Sequence, residues 1–195
     1  MNLPQPKYTG YTLDDWQTWE GRWELIDGVA YDMTPSPSTT HQEISSNFHG
    51  ALWNALEEAK RKSGGGCKVF AAPTDVFLDS GVVIPDLLVV CDPAKISPRG
   101  IEGPPDLVVE ILSPSTAGKD HSTKRWKYEA AAVPEYLIID PDERLGILLC
   151  LVGGRYEERA RIEWGALVQL LGGKLEVTLG LGAAPRHGFP LVHSP

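Results

Sequence analysis

Glu110 stands inside an otherwise apolar run, Leu107-Val108-Val109-Glu110-Ile111-Leu112. A carboxylate there is costly to bury unless it is paired, protonated or bound to a cation. Asp86 poses the same problem in Ile84-Pro85-Asp86-Leu87-Leu88-Val89-Val90. Two neighbouring strands that each bring one carboxylate into an apolar sheet make a strongly negative site. With all-oxygen ligands, such a site suits a hard divalent cation, magnesium or manganese. The alternative for each residue is a carboxylate at a strand end, met by solvent or by a helix N-terminus. Lys124 supplies a third chemical group. It belongs to a local basic cluster, Lys119, Lys124, Arg125 and Lys127, and Tyr128 shares its helix face at the i+4 position. Taken alone, Lys124 reads first as part of an exposed cationic face, ion-paired with Asp120 four residues earlier.

The surrounding elements must bring these groups together. Tyr11 to Glu20 fits a short helix, and Arg22 to Met33 alternates around Asp27-Gly28, a hairpin-turn dipeptide that places Glu24 on the first strand. After a loop from Thr34 to Thr39, Thr40 and Glu43 form a candidate capping box. Ile44, Phe48, Leu52, Ala55, Leu56 and Ala59 recur at helical spacing behind it, and Gly64 stops the helix. Strands are expected at Lys68–Ala71, Asp75–Leu78, Val83–Val90 and Leu107–Leu112, the last two as central strands covered on both faces. A helix fits His121 to Ala132 ahead of Pro134, followed by strands at Tyr136–Ile139, Leu145–Val152 and Tyr156–Arg161. The order predicts an α/β fold with a mixed central sheet flanked by helices and an N-terminal β-hairpin. Residues 1–195 read as a single domain with an irregular tail from Ala183 to Pro195.

Composition narrows the partners. Eighteen Lys and Arg against 26 Asp and Glu give a net charge of −8, which argues against bulk electrostatic binding to nucleic acid or to a membrane surface. It leaves room for an enzyme that meets phosphate through a local basic patch and a metal ion. No stretch approaches the roughly 18 apolar residues of a membrane span, and Met1 to Trp19 has no signal-peptide core. Cys67, Cys91 and Cys150 are an odd number without a CxxC spacing, so the expectation is free, buried thiols in the reducing cytoplasm. Trp16, Trp19, Trp23 and Trp53 lack interleaved basic residues, which favours core packing or a subunit interface over base stacking.

Longer strings carry a resemblance. Glu24-Leu25-Ile26-Asp27-Gly28, His41 at a helix start, Val83-Ile84-Pro85-Asp86 and Pro105-Asp106-Leu107-Val108-Val109-Glu110-Ile111-Leu112-Ser113-Pro114-Ser115-Thr116 are followed by Asp120, Lys124 and Tyr128, then Val133-Pro134-Glu135-Tyr136 and Asp140-Pro141. Together they resemble the Uma-two branch of the PD-(D/E)xK, restriction-endonuclease-like superfamily. The superfamily's lysine, two residues after the glutamate, would fall at Leu112, which cannot serve. In the resembling branch the following helix carries it, at Lys124, with Lys127 as the alternative.

The resemblance implies a restriction-endonuclease-like fold and a Mg²⁺-dependent endonuclease that hydrolyses DNA, with Mn²⁺ able to substitute. Asp86, Glu110 and the backbone carbonyl of Ile111 would hold one or two ions. Lys124 would orient the attacking water and offset charge on the phosphorane, and Glu24 would reach the metal through water or help bind a second ion. His41 is open between contacting phosphate, orienting Glu24 and simple packing. A homodimer or higher homo-oligomer fits the dyad of duplex DNA. Two other functions use the same residues differently: a non-catalytic nuclease-like module for protein binding or oligomer assembly, which the net charge favours, and hydrolysis of a smaller phosphate ester.

Overall fold

The computed structural model describes residues 9–33, 36–64, 66–79, 81–113 and 120–180, with 120–122 as backbone. The side chain of Asp120, the segment with Pro114, Ser115, Thr116 and Lys119, and the tail from Ala183 lie outside the described residues.

In chain order the elements are α1 (Leu13–Trp16), β1 (Trp23–Ile26), β2 (Val29–Asp32), α2 (Thr39–Ser63), β3 (Lys68–Ala71), β4 (Val76–Leu78), β5 (Gly81–Val83), β6 (Leu87–Val90), β7 (Ile96–Ser97) and β8 (Gly100–Glu102). They continue with β9 (Leu107–Ile111), α3 (Asp120–Ala130), β10 (Glu135–Asp140), β11 (Leu145–Val152), β12 (Arg155–Glu163), β13 (Leu167–Leu170) and β14 (Leu175–Thr178). No helix among the described residues is long and apolar enough to cross a membrane.

The central sheet runs β12-β11-β10-β9-β6-β3. It is mixed: β9 and β10 are parallel, and its other neighbours are antiparallel. Parallel neighbours require a crossover, and α3 is that crossover. On one face, Ile44, Phe48, Leu52 and Leu56 of α2 pack with Leu87, Val89, Leu107, Val109 and Ile111, joined by the β13–β14 hairpin. On the other, Leu88, Val90 and Val108 meet Tyr128 of α3 and Tyr136, together with Ile26, Val76, Val83 and Ile101. Both faces are therefore apolar, as the continuous runs in β6 and β9 predict.

Those last four residues come from a second six-stranded sheet, β2-β1-β5-β4-β8-β7, which the sequence does not announce. Several of its strands have only two or three residues, too short to print a period. The expected strand Val83–Val90 is accordingly two strands. Proline lacks a backbone N–H and cannot continue a ladder, so the chain leaves the second sheet after Val83, passes through Ile84-Pro85-Asp86 and enters the central sheet at Leu87.

Other local expectations hold with adjustments. The hairpin turns at Asp27 and Gly28, both at positive φ (50° and 79°), the geometry of a type I′ turn. Helix α2 is capped by Ser38, whose Oγ accepts from the His41 N–H at 3.2 Å, rather than by Thr40, and it ends on Gly64 in the left-handed region. The cysteines depart from expectation. Pairing of Lys68 with Val90 sets Cys67 opposite Cys91, and the two form a disulfide between β3 and β6; Cys150 is free and half-buried.

Candidate active site

Asp86 sits where the two sheets exchange the chain, with its own carbonyl accepting from Ala72 N–H at 2.9 Å. Its carboxylate faces the adjacent strand: Oδ2 accepts from the Ile111 N–H at 2.8 Å and from His41 Nε2 at 3.1 Å. Since a carboxylate only accepts, the His41 proton on that side is on Nε2. Among the described residues His41 thus contacts Asp86 and not Glu24. Its other ring nitrogen, Nδ1, is buried and has no hydrogen-bond partner among the described residues.

Glu110 precedes Ile111 on β9. Val109 and Ile111 point toward α2, so the pleat turns Glu110 to the opposite face, under α3. There Lys124 Nζ lies 3.0 Å from Glu110 Oε1, and the Tyr128 hydroxyl donates to the same oxygen at 2.7 Å. The i,i+4 spacing on α3 is what lets both side chains descend on one atom. Glu24, on β1 of the second sheet, completes the cluster: its Oε1 accepts from Ile84 N–H at 2.8 Å and lies 2.8 Å from Lys124 Nζ. Lys124 thus bridges the carboxylates of the two sheets. Lys127 is drawn instead to Asp27 Oδ1 at 3.0 Å, at the hairpin tip, so the ammonium at Glu110 belongs to Lys124. Spacing places Tyr128 on the Lys124 face; only the fold brings its hydroxyl to Glu110.

The electrostatics follow from burial and charge count. Glu24, Glu110, Lys124 and Tyr128 are all buried. Burial pushes the Glu110 carboxyl up to about 7, with Lys124 opposing and the nearby Asp86 and Glu24 reinforcing the rise. Burial also works against the Lys124 ammonium, but Glu110 and Glu24 outweigh it and hold its pKa above the ordinary lysine value. His41 is raised chiefly by its hydrogen bond with Asp86, against the desolvation of the ring. Three carboxyl groups thus act on one lysine and favour its ammonium form.

This donor set fits a hard divalent cation. Asp86 Oδ1 and Glu110 Oε2 receive no hydrogen bond among the described residues, whereas the other oxygen of each is held by two donors. No three His, Cys, Asp or Glu side chains among the described residues gather into a cage by themselves. An ion here would therefore keep much of its water, as magnesium does.

The Uma2 family model, described as "Putative restriction endonuclease", matches residues 11–180. The chain belongs to the Uma2 family. Its fold is restriction-endonuclease-like, and among solved structures this Uma2 chain is similar to a crystal structure from Anabaena variabilis described as "a putative nuclease belonging to DUF820". The two share a TM-score of 0.69 and 19% identity over 87% of this chain and 96% of the other. Such a likeness speaks for the fold. No curated protein matches this Uma2 chain.

Proposed function

We propose that the chain is a Mg²⁺-dependent endonuclease, with Mn²⁺ able to substitute, that hydrolyses phosphodiester bonds in DNA. The supporting observation is the pair Asp86 and Glu110, each with one oxygen doubly held and one oxygen without a donor, beside the buried Lys124 ammonium. Asp86, Glu110 and the backbone carbonyl of Ile111 would hold the ion. When bound, it supplies Lewis-acid polarisation of the scissile phosphate and eases deprotonation of water.

The remaining work belongs to the chain's own side chains. Lys124 stays charged between Glu24 and Glu110 and offers its N–H groups to negative charge developing on phosphorus oxygens. Glu24 serves Lys124: its shared contact with the Ile84 N–H fixes the carboxylate, and the carboxylate fixes the ammonium. In this reading Glu24 acts as an anchor for the lysine rather than as a ligand for a second ion.

Incubation of the purified protein with supercoiled plasmid and Mg²⁺ or Mn²⁺ tests the proposal. Nicking or linearisation is expected from the wild type and is lost in Asp86→Ala and in Glu110→Ala. Cleavage that survives in both variants removes these carboxylates from the reaction. The net charge of −8 favours a second reading, a nuclease-like module that binds protein, because a free nuclease must approach a polyanion against its own field. That reading predicts no cleavage in either metal.

A further inference from the structure

Asp86 and Glu110 are held by side chains outside the aspartate, glutamate and lysine expected to do the chemistry. The imidazole of His41 reaches Asp86 from the first turn of α2, and the hydroxyl of Tyr128 reaches Glu110 from the middle of α3. In each case the oxygen contacted is one that already has another donor: the Ile111 N–H on Asp86 Oδ2, the Lys124 ammonium on Glu110 Oε1. Two donors on one carboxylate oxygen fix the torsion of the group and leave the second oxygen with a set direction.

The cost of these placements is visible. His41 is buried with no partner for Nδ1 among the described residues, a rare arrangement for a polar ring atom, and Tyr128 is a fully buried phenol whose hydroxyl meets a carboxylate. Packing alone does not require either polar atom, since leucine or phenylalanine would fill the space. The two residues also come from opposite faces of the central sheet, α2 from one side and α3 from the other, and converge on Asp86 just ahead of β6 and Glu110 on the neighbouring β9.

We propose that His41 and Tyr128 are positioning residues: each clamps one of the paired carboxylates by its doubly held oxygen, and thereby presents the opposite oxygen, Asp86 Oδ1 or Glu110 Oε2, to a divalent cation. The inference rests on the cation-dependent reading of the site above. Groups that orient metal ligands in this manner typically change metal affinity by about 10–100-fold when removed.

The test is Mn²⁺ binding by the full chain without DNA, followed by the electron paramagnetic resonance signal of free Mn²⁺. Tyr128→Phe removes one oxygen and keeps the ring, and His41→Leu removes the imidazole donor while His41→Gln restores an N–H. Tyr156→Phe is the control, because that buried hydroxyl donates to the Val133 carbonyl, away from the carboxylates. The expected result is a dissociation constant raised about tenfold or more in Tyr128→Phe and in His41→Leu, near wild type in His41→Gln and unchanged in Tyr156→Phe. Wild-type affinity in Tyr128→Phe and His41→Leu overturns the clamp and leaves the cation site standing. Equal weakening by Tyr156→Phe also overturns it, by assigning the effect to packing. If the wild type binds no Mn²⁺, the cation-dependent reading itself falls, and the clamp with it. Should His41→Leu fail to fold, Tyr128→Phe against Tyr156→Phe still decides.

Discussion

Glu110 shows what a single buried carboxyl does to the whole protein. Its pKa near 7 in the folded state lies above the ordinary glutamate value of 4.5, so folded protein binds more protons than unfolded protein between those pH values. Stability must then fall as pH rises through that window, by at most about 3 kcal/mol. Replacing Glu110 with Gln removes the titration. Urea unfolding across pH 4.5 to 7.5 is expected to show the decline in the wild type and a flatter profile in Glu110→Gln. An equally steep decline in the variant would place the titrating group elsewhere.

At the scale of elements, the site depends on how α3 and the second sheet are fastened to the central sheet. Glu129 does the first. It accepts from the Tyr156 N–H at 2.6 Å and from Arg155 at 2.9 Å, which ties the helix to β12 on the turn next to Tyr128. These donors, the Tyr156 N–H foremost, lower its pKa, so the stabilisation is full above the ordinary glutamate value and disappears as pH falls through the lowered one. Glu129→Gln should therefore lose stability near neutrality and much less at pH 3, as read by thermal unfolding at the two pH values. Gly81 does the second. A Cβ at this position would stand 1.8 Å from the Leu25 carbonyl oxygen, so β1 can pair with β5 only around glycine. Gly81→Ala is expected to cost at least about 2 kcal/mol in denaturant unfolding and to loosen Glu24 from Ile84. A variant as stable as wild type would show that the two strands can separate without consequence.

For the whole molecule, an excess of acidic side chains converges where two sheets meet, and under the proposed function a divalent cation would offset it. A ligand that binds only folded protein stabilises it by about 2.7 kcal/mol at one hundred times its dissociation constant, roughly 5–10 °C in melting temperature for a chain of this size. Saturating Mn²⁺ should raise the melting temperature of the wild type by that order and leave Asp86→Ala/Glu110→Ala unmoved. Equal shifts in both proteins would mean that the ion binds elsewhere.

Much of this was legible in residue order, because the signals are local. The apolar runs around Asp86 and Glu110 announce central strands, Asp27-Gly28 announces a turn that needs two positive φ values, and the α2 period ends on Gly64. The same runs mark both carboxylates as anomalous, and the family strings assign the ammonium to the helix that carries Lys124. Contacts between distant segments are a different matter. The break at Ile84-Pro85-Asp86, the disulfide of Cys67 with Cys91, the movement of the helix cap to Ser38 and the separation of Lys127 from Lys124 depend on which surfaces meet. Sequence periodicity determined which face of each element is apolar. Tertiary packing alone decided that His41 reaches Asp86 across 45 residues and that Tyr128 reaches Glu110 across 18, because a hydrogen bond needs ångström-scale proximity that no pattern along the chain encodes.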